Sequence, residues 1–361
     1  MGTLSRVLLH ACCDDDARAE RPNLELIRGD LRSVGGLNRS QWNKFLELAH
    51  SHHVTMRALA VLQNAAAVYG ENELAEKCEA ALTAERAPIT HAVGFLQHIC
   101  QTLGSQGCDV TVINSLDHYP DLGYDLDLFT TADSRYIQDV MCREFDACQV
   151  ARSWGDRLAN KWNFQLPGLP ELVEIHVQFL GQTGEHESMA KRVIERRVAK
   201  GVWGYRFHVP APEERLVISA LQRVYRHFYF RLFDMLDATI LLNTEAVDFF
   251  ELRKTAQLAG IWSGIATFLC LVRGYVEAYG GSVALPCVVT NSAQGAAIGL
   301  RFKDGFLRMS KLSAASLYGS QLMQAGLHRD RRALARLPLL PPLAVSALVA
   351  YHLTGNDKGI W

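Results

Sequence analysis

A short alternation of charged and apolar residues constrains the fold of this chain more than any other feature. Asp125 and Asp127 alternate with Leu126 and Leu128 in a segment that ends at Phe129. Because successive side chains of a β-strand point to opposite faces, the pattern predicts a strand with both carboxylates on one face and the leucines on the other. Two carboxylates this close repel each other unless a cation relieves the repulsion, and Mg²⁺ is the usual cation beside phosphates. The alternative is a strand end with two solvated aspartates.

A third carboxylate lies in a second alternating segment, residues 172–179. Glu174 and His176 fall on its polar face, opposite valine, isoleucine and phenylalanine, which predicts a half-buried strand. If this strand lies beside that of Asp125 and Asp127, Glu174 completes a group of three carboxylates. Such a group can hold two Mg²⁺ ions roughly 3.5–4 Å apart, the arrangement used for in-line displacement at phosphorus. The alternative is that Glu174 lies on the solvated face of an edge strand.

Most of the remaining chain has helical periodicity. A helix capped by Ser40 is expected to run through Leu48, further helical patterns cover 55–68, 72–83 and 88–104, and the longest pattern runs from Pro212 to Leu242. The predicted fold class is α+β, a small mixed β-sheet surrounded by many helices, with helical N- and C-terminal regions. The predicted regions are a helical N-terminal region (1–105), a catalytic core (106–205) and a mostly helical C-terminal domain (206–361) with a short β-hairpin near 285–307.

Composition argues against several classes of partner. The formal net charge is −1, so the chain has no global attraction to long nucleic acid. The nine cysteines are scattered without a C-x-x-C motif, which favours reduced thiols and a cytoplasmic location. The apolar stretch from Leu337 to Leu353 contains prolines and is shorter than a bilayer span requires, so we expect no membrane segment.

The order of these motifs resembles the DNA-polymerase-beta-like nucleotidyltransferase superfamily, whose pattern is G-S, D-x-D and a later acidic residue. Ser115, nine intervening residues, Asp125, Asp127 and Glu174 match that pattern. Where the family has glycine before the serine, this chain has Asn114, and asparagine tolerates left-handed backbone better than most residues.

Two further segments are similar to nucleotidyltransferase-like proteins of bacterial biosynthetic clusters. These are the predicted helix at 41–49 and the segment from Arg226 to Asp234. The resemblance implies Mg²⁺-dependent transfer of a nucleoside monophosphate from an NTP to a small hydroxyl-bearing acceptor, with release of pyrophosphate. It implies two Mg²⁺ ions, one on Asp125 and Asp127 and one on Asp127 and Glu174, with Glu174 also a candidate general base. The alternatives are a catalytically degenerate nucleotide-binding or scaffold protein and a protein-modifying nucleotidyltransferase.

Further candidate residues surround these carboxylates. Candidates for nucleotide binding are Asn114, Ser115, His118 and Tyr119, and candidates for substrate binding are His176, Arg223, Arg226, His227, Arg231 and Asp234. Arginine favours bidentate recognition of phosphate or carboxylate, so the last five residues could form one wall of a cleft. The alternative is internal ion pairing, for example between Arg231 and Asp234. The sequence gives no role to the distinctive loop Gly181–His186, and it specifies neither the nucleotide, the acceptor nor the oligomeric state.

Overall fold

The computed structural model describes residues 1–12, 28–180, 187–244, 247–294 and 299–354; the loop Gly181–His186 lies outside these ranges. Helices surround a small mixed sheet, and the predicted α+β fold class is confirmed. In the described part of the chain, no helix is both long and apolar enough to cross a membrane.

The N-terminal region is helical. Its helices are α1 (Gly2–Cys12), α2 (Arg28–Gly35), α3 (Arg39–Ser51), α4 (Thr55–Tyr69) and α5 (Asn72–Ser105). The prediction that Ser40 caps α3 is wrong, because the N-cap is Asn38, two residues earlier, which forms a reciprocal capping box with Gln41. The helical patterns at 72–83 and 88–104 belong to one helix of 34 residues, with Pro88 inside it.

A five-stranded sheet follows these helices. Its strands are β1 (Val110–Val112), β2 (Asp125–Thr130), β3 (Cys148–Gln149), β4 (Lys161–Gln165) and β5 (Leu172–Val177), in the order β1-β2-β5-β4-β3. β2 and β5 are parallel, and the other neighbours are antiparallel. Two helices, α6 (Ser134–Phe145) and the short α7 (Trp154–Leu158), lie between β2 and β4 along the chain. The condition set by the sequence, that the strands of Asp127 and Glu174 are neighbours, is therefore met.

The rest of the chain is mostly helical with two small sheets. Its first elements are α8 (Glu187–Glu195), β6 (Val198–Val202), β7 (Tyr205–Val209), α9 (Pro212–Ala220), a π-helical turn (Leu221–His227), β8 (Tyr229–Phe230) and α10 (Leu232–Thr244). They are followed by α11 (Phe249–Leu258), α12 (Trp262–Ala278), α13 (Cys287–Thr290), β9 (Arg301–Lys303), β10 (Phe306–Arg308), α14 (Lys311–Leu327), α15 (Arg331–Arg336), a 3₁₀ turn (Leu337–Leu339) and α16 (Leu340–Thr354).

The structure corrects the sequence analysis in two places here. The pattern from Pro212 to Leu242 is not one helix, because the backbone of Phe228 is left-handed (φ 58°) and the next two residues pair with β10. The hairpin predicted near 285–307 is confined to β9 and β10. Its turn at Asp304 and Gly305 has two positive φ angles, as a tight hairpin turn requires, whereas Cys287–Thr290 is helical.

The two faces of β2 pack against different cores. Leu126 and Leu128 lie in a core with residues of α5. Phe129 lies in a second core with residues of the C-terminal helices and with Phe230 of β8. Asp125 and Asp127 share the face of Phe129. This alternation turns both carboxylates toward the segment between α9 and α10, which carries the arginines.

Candidate functional site

The carboxylates predicted from the sequence lie together on the polar face of the sheet. Asp127 lies directly opposite Glu174 in the parallel register of β2 and β5. One ligand atom each of Asp127, Glu174 and His176 lies within 4.8 Å of the other two. Burial, followed by the negative charges of Glu174 and Asp127, raises the pKa of Asp125 to about 7. This excess of negative charge and the oxygen-rich donor set fit a hard divalent cation.

Two polar side chains contact the carboxylate of Asp127. His176 Nε2 lies 3.4 Å from Asp127 Oδ1, and the amide nitrogen of Asn114 donates to Oδ2 at 3.4 Å. Burial by itself would raise the pKa of Asp127, but these contacts and the charge of Lys161 outweigh burial and lower that pKa. These contacts therefore favour the ionised form of Asp127.

A lysine that the sequence analysis did not consider completes the group. Lys161 Nζ lies 2.7 Å from Glu174 Oε2 and 3.1 Å from Asp156 Oδ1. Burial would lower the pKa of Lys161, but Glu174 and Asp156 outweigh burial and raise it, so the ammonium group is charged. A signal was present in the sequence, because Lys161 and Asn163 alternate with Trp162 and Phe164 as expected of a half-buried strand.

The predicted phosphate-binding pair, Asn114 and Ser115, supports the D-x-D strand. Asn114 has a left-handed backbone (φ 59°), a conformation that glycine adopts most readily. The Ser115 hydroxyl accepts from the backbone N–H of Asp127 at 2.7 Å and donates to the carbonyl of Asp125 at 3.2 Å. Its own N–H is bonded to the carbonyl of Ile113. These bonds fix the position of the aspartates, while a contact with nucleotide remains a prediction.

His118 lies in a neighbouring polar network, whereas the side chain of Tyr119 makes an aromatic contact. His118 Nδ1 is 2.9 Å from Asp237 Oδ2, and the other oxygen of Asp237 lies 2.7 Å from Arg57 Nη1. The His118 ring lies against Phe233, and the Tyr119 ring lies edge-on to Trp203. Nδ1 of His118 therefore already has a partner within the protein.

The arginine segment (residues 221–234) faces the carboxylates but is not a uniform stripe. Arg223 Nε donates to Asp234 Oδ1 at 2.7 Å, and the second oxygen of Asp234 accepts from the backbone N–H of Arg231. Internal ion pairing, the alternative illustrated above with Arg231 and Asp234, involves a different arginine. In the structure the ion pair of Asp234 is with Arg223, and Arg231 binds Asp234 through its backbone N–H. Asp234 is almost fully buried, and its role in the structure is to hold this segment.

Positive charges converge beside the carboxylates. Burial, then the charges of Arg226, Arg223 and Arg231, keeps the pKa of His227 well below its ordinary value. Arg226 is close enough to Lys161 to repel its ammonium group, and Arg231 is close enough to Asp125 to attract its carboxylate. The structure therefore brings the predicted basic residues and the predicted carboxylates to the same place.

Arg231 lies over aromatic rings, as Arg223 does, but has a buried nitrogen without a partner among the described residues. Its guanidinium lies over the rings of Tyr124, Tyr229 and Phe306, at 5.7, 5.9 and 6.0 Å from their centroids. Its buried Nε has no hydrogen-bond partner among the described residues. Burial, then repulsion from Arg223, lowers its pKa. A buried guanidinium group whose Nε has no hydrogen-bond partner in the described structure favours an anionic ligand.

A cavity of about 300 Å³ adjoins the site at Tyr124, the residue before Asp125. Its polar lining consists of His50, His53, Thr55, Glu85, Asp121, Tyr124 and Glu171. Glu171 lies just before β5, and its Oε2 is buried without a hydrogen-bond partner in the described part of the chain.

Comparison with known proteins gives little further information. No family model matches the chain, and no curated protein matches it. Among solved structures, it is similar to an antigenic nucleotidyltransferase-like protein from Paracoccidioides brasiliensis, with 16% sequence identity and a TM-score of 0.36. The match covers 55% of this chain and 95% of that chain. A likeness at this level assigns neither a family nor an activity.

Proposed function

We propose that the protein transfers a nucleoside monophosphate from an NTP to a small hydroxyl-bearing acceptor, in a Mg²⁺-dependent reaction that releases pyrophosphate. The observation that carries the proposal is the parallel register that sets Glu174 beside Asp127, with the arginine segment opposite. Carboxylates beside a basic wall suit a polyanionic substrate that arrives with a divalent cation.

The residues would divide the chemistry among them. Asp125 and Asp127 would hold Mg²⁺, which, when bound, neutralises charge on the triphosphate. Arg231, whose Nε has no partner in the described structure, would bind phosphate oxygens. Glu174 would accept the proton as the acceptor oxygen bonds to the α-phosphorus and the bond to pyrophosphate breaks.

The cavity beside Tyr124 would bind the acceptor. Its lining includes Glu85, Asp121 and Glu171, and the half-buried Glu171 has an unpartnered oxygen in the described structure. An acceptor that carries an amine beside its hydroxyl would complement that lining. The resemblance to proteins of bacterial biosynthetic clusters is consistent with a small biosynthetic acceptor.

A second candidate function is nucleotide binding without turnover. It is favoured by the Ser115 hydroxyl and N–H, which already have partners within the protein. Isothermal titration with each NTP, with and without Mg²⁺, separates binding from catalysis.

The direct test is pyrophosphate release by the purified protein with each NTP, Mg²⁺ and a panel of hydroxyl-bearing acceptors with and without an amine. We expect turnover with at least one combination, and Glu174→Gln should lower turnover while NTP affinity persists. Binding with no pyrophosphate release under any combination would favour the second candidate. If affinity collapses in Glu174→Gln but turnover at saturation does not, the role of Glu174 is wrong.

A further inference from the structure

We infer that Lys161 takes the place of one of the two divalent ions, so that this site binds a single ion on the side of Asp125 and Asp127. The inference rests on the proposed function, because it concerns the ions that the carboxylates would bind. It departs from the two-ion arrangement predicted from the sequence. It is carried by three sets of contacts around the carboxylates.

The first contact engages one of the two oxygens of the Glu174 carboxylate. Lys161 Nζ lies 2.7 Å from Glu174 Oε2, which is a close, charge-assisted hydrogen bond. A divalent ion on Glu174 would therefore lie next to a buried ammonium group of the same sign. At such short range inside a protein, repulsion between like charges is strong. An ion can bind there only if Lys161 leaves.

The second set of contacts keeps Lys161 in place. Lys161 is 5% exposed, and its ammonium also pairs with Asp156 at 3.1 Å. Asp156 is fixed in turn by a reciprocal capping box with Ser153 at the start of α7 and by the amide of Asn163. A buried lysine held by two carboxylates is costly to move, because its departure would leave both charges unpaired.

The third contact concerns Asp127, which would bridge the two ions. Its Oδ1 is 3.4 Å from Nε2 of His176, a residue that is 1% exposed. By contrast, the Asp125 carboxylate makes no hydrogen bond or ion pair with the residues that the structure describes, so it is available to a cation. The amide of Asn114 donates to the other oxygen of Asp127 at 3.4 Å, so the carboxylate of this strand without a partner among the described residues is Asp125.

The experiment is a titration of the full chain with Mn²⁺ alone, in which electron paramagnetic resonance measures the free ion. We expect one ion bound per wild-type chain, two per Lys161→Met chain and one per Lys161→Arg chain. Asp125→Asn should raise the dissociation constant of the single wild-type ion at least tenfold. Circular dichroism shows whether each variant is folded. If Lys161→Met does not fold, the double variant Lys161→Met/Asp156→Asn, which removes one unpaired charge, replaces it with the same expected stoichiometry.

Each result bears on a different claim. Two ions on the wild-type chain, or one ion on folded Lys161→Met, would overturn the inference and leave the proposed transfer reaction standing. No ion on the wild-type chain would contradict the metal dependence of the proposed function itself. Pyrophosphate release is measured separately, so a protein that binds one ion without turnover would support the inference and count against the proposed reaction.

Discussion

The carboxylate strands and the arginine segment face each other, yet they are built in different ways. On β2 and β5 the side chains follow strict alternation, and their positions follow from the ladder between the strands. The arginine segment combines a π-helical turn, a left-handed residue at Phe228 and a two-residue strand. The first region shows that a local period can place a site. The second shows that residues on one apparent helical face can have different environments once the helix is broken.

The difference is clearest between Arg223 and Arg231. A continuous helix would have given both the same exposure and the same role. In the structure both guanidinium groups lie over aromatic rings, but Arg223 is buried and paired with Asp234, whereas Arg231 has no ion pair among the described residues and lies near Asp125. We expect substitutions on the strands to affect the chemistry, and substitutions of these two arginines to separate stability from ligand binding.

The largest effect is expected from Asp127→Asn. The substitution keeps the shape of the side chain but removes the charge that would hold Mg²⁺. We expect turnover to fall about a thousandfold, which is about 4 kcal/mol of activation free energy, with little change in melting temperature. The exposed Asp139→Asn serves as a matched control on α6. If more than about a tenth of the activity remains, the metal assignment is wrong.

Arg223→Gln should affect stability rather than binding. It leaves the carboxylate of Asp234 buried without its cation, since that side chain is 0% exposed. We expect a loss of about 3 kcal/mol in the free energy of unfolding, the lower end for a broken buried pair because repulsion with Arg231 is relieved. Chemical denaturation measures the loss, with the exposed Arg206→Gln as control. A variant of normal stability and weakened NTP binding would place Arg223 in the cleft.

His52 connects the end of α3 to the arginine segment and makes stability depend on pH. Its Nδ1 accepts from the N–H of Leu232, and its Nε2 lies 2.8 Å from the carbonyl of Gly305, a pattern that requires a neutral ring. Burial lowers the pKa of His52 to about 4, from an ordinary value of 6.5. Between these values the unfolded chain holds a proton that the folded protein does not.

Stability should therefore be fully present above pH 6.5 and should fall by about 2–3 kcal/mol as the pH is lowered toward 4. Urea denaturation at several pH values measures this slope. His52→Gln can still donate to Gly305 but lacks the ring nitrogen that accepts from Leu232, so we expect it to be less stable at pH 7. It also lacks the group that titrates, so this part of the slope should be absent. The same slope in both proteins would show that the His52 ring does not remain neutral in the folded state.

The smallest effect is expected from Arg231→Gln. Its guanidinium makes no ion pair among the described residues, so its loss should cost little stability. If it binds the triphosphate, the KM for NTP should rise about tenfold, equivalent to about 1.4 kcal/mol. Arg308→Gln is a suitable control, since Arg308 also lies over Tyr229 but is more exposed. An early-melting Arg231→Gln variant with unchanged KM would assign Arg231 to the structure alone.

The sequence by itself determined the strands and the face on which their carboxylates lie. Alternation of Asp125 and Asp127 with buried leucines, and of Glu174 with Val173 and Ile175, is a local property that a strand displays whatever its neighbours are. The left-handed backbone at Asn114 was also consistent with its residue type. These features follow from the stereochemistry of single residues and from a period of two.

Only the tertiary structure decided how the charges are paired. The pairing of Lys161 with Glu174 and Asp156, and of Arg223 with Asp234, depends on which side chains meet when strands and helices pack. The break at Phe228 likewise follows from pairing with β10, far along the chain, which replaces helical hydrogen bonds by a ladder. Charge interactions act through space and are strongest where burial removes water, so the sequence order does not specify them.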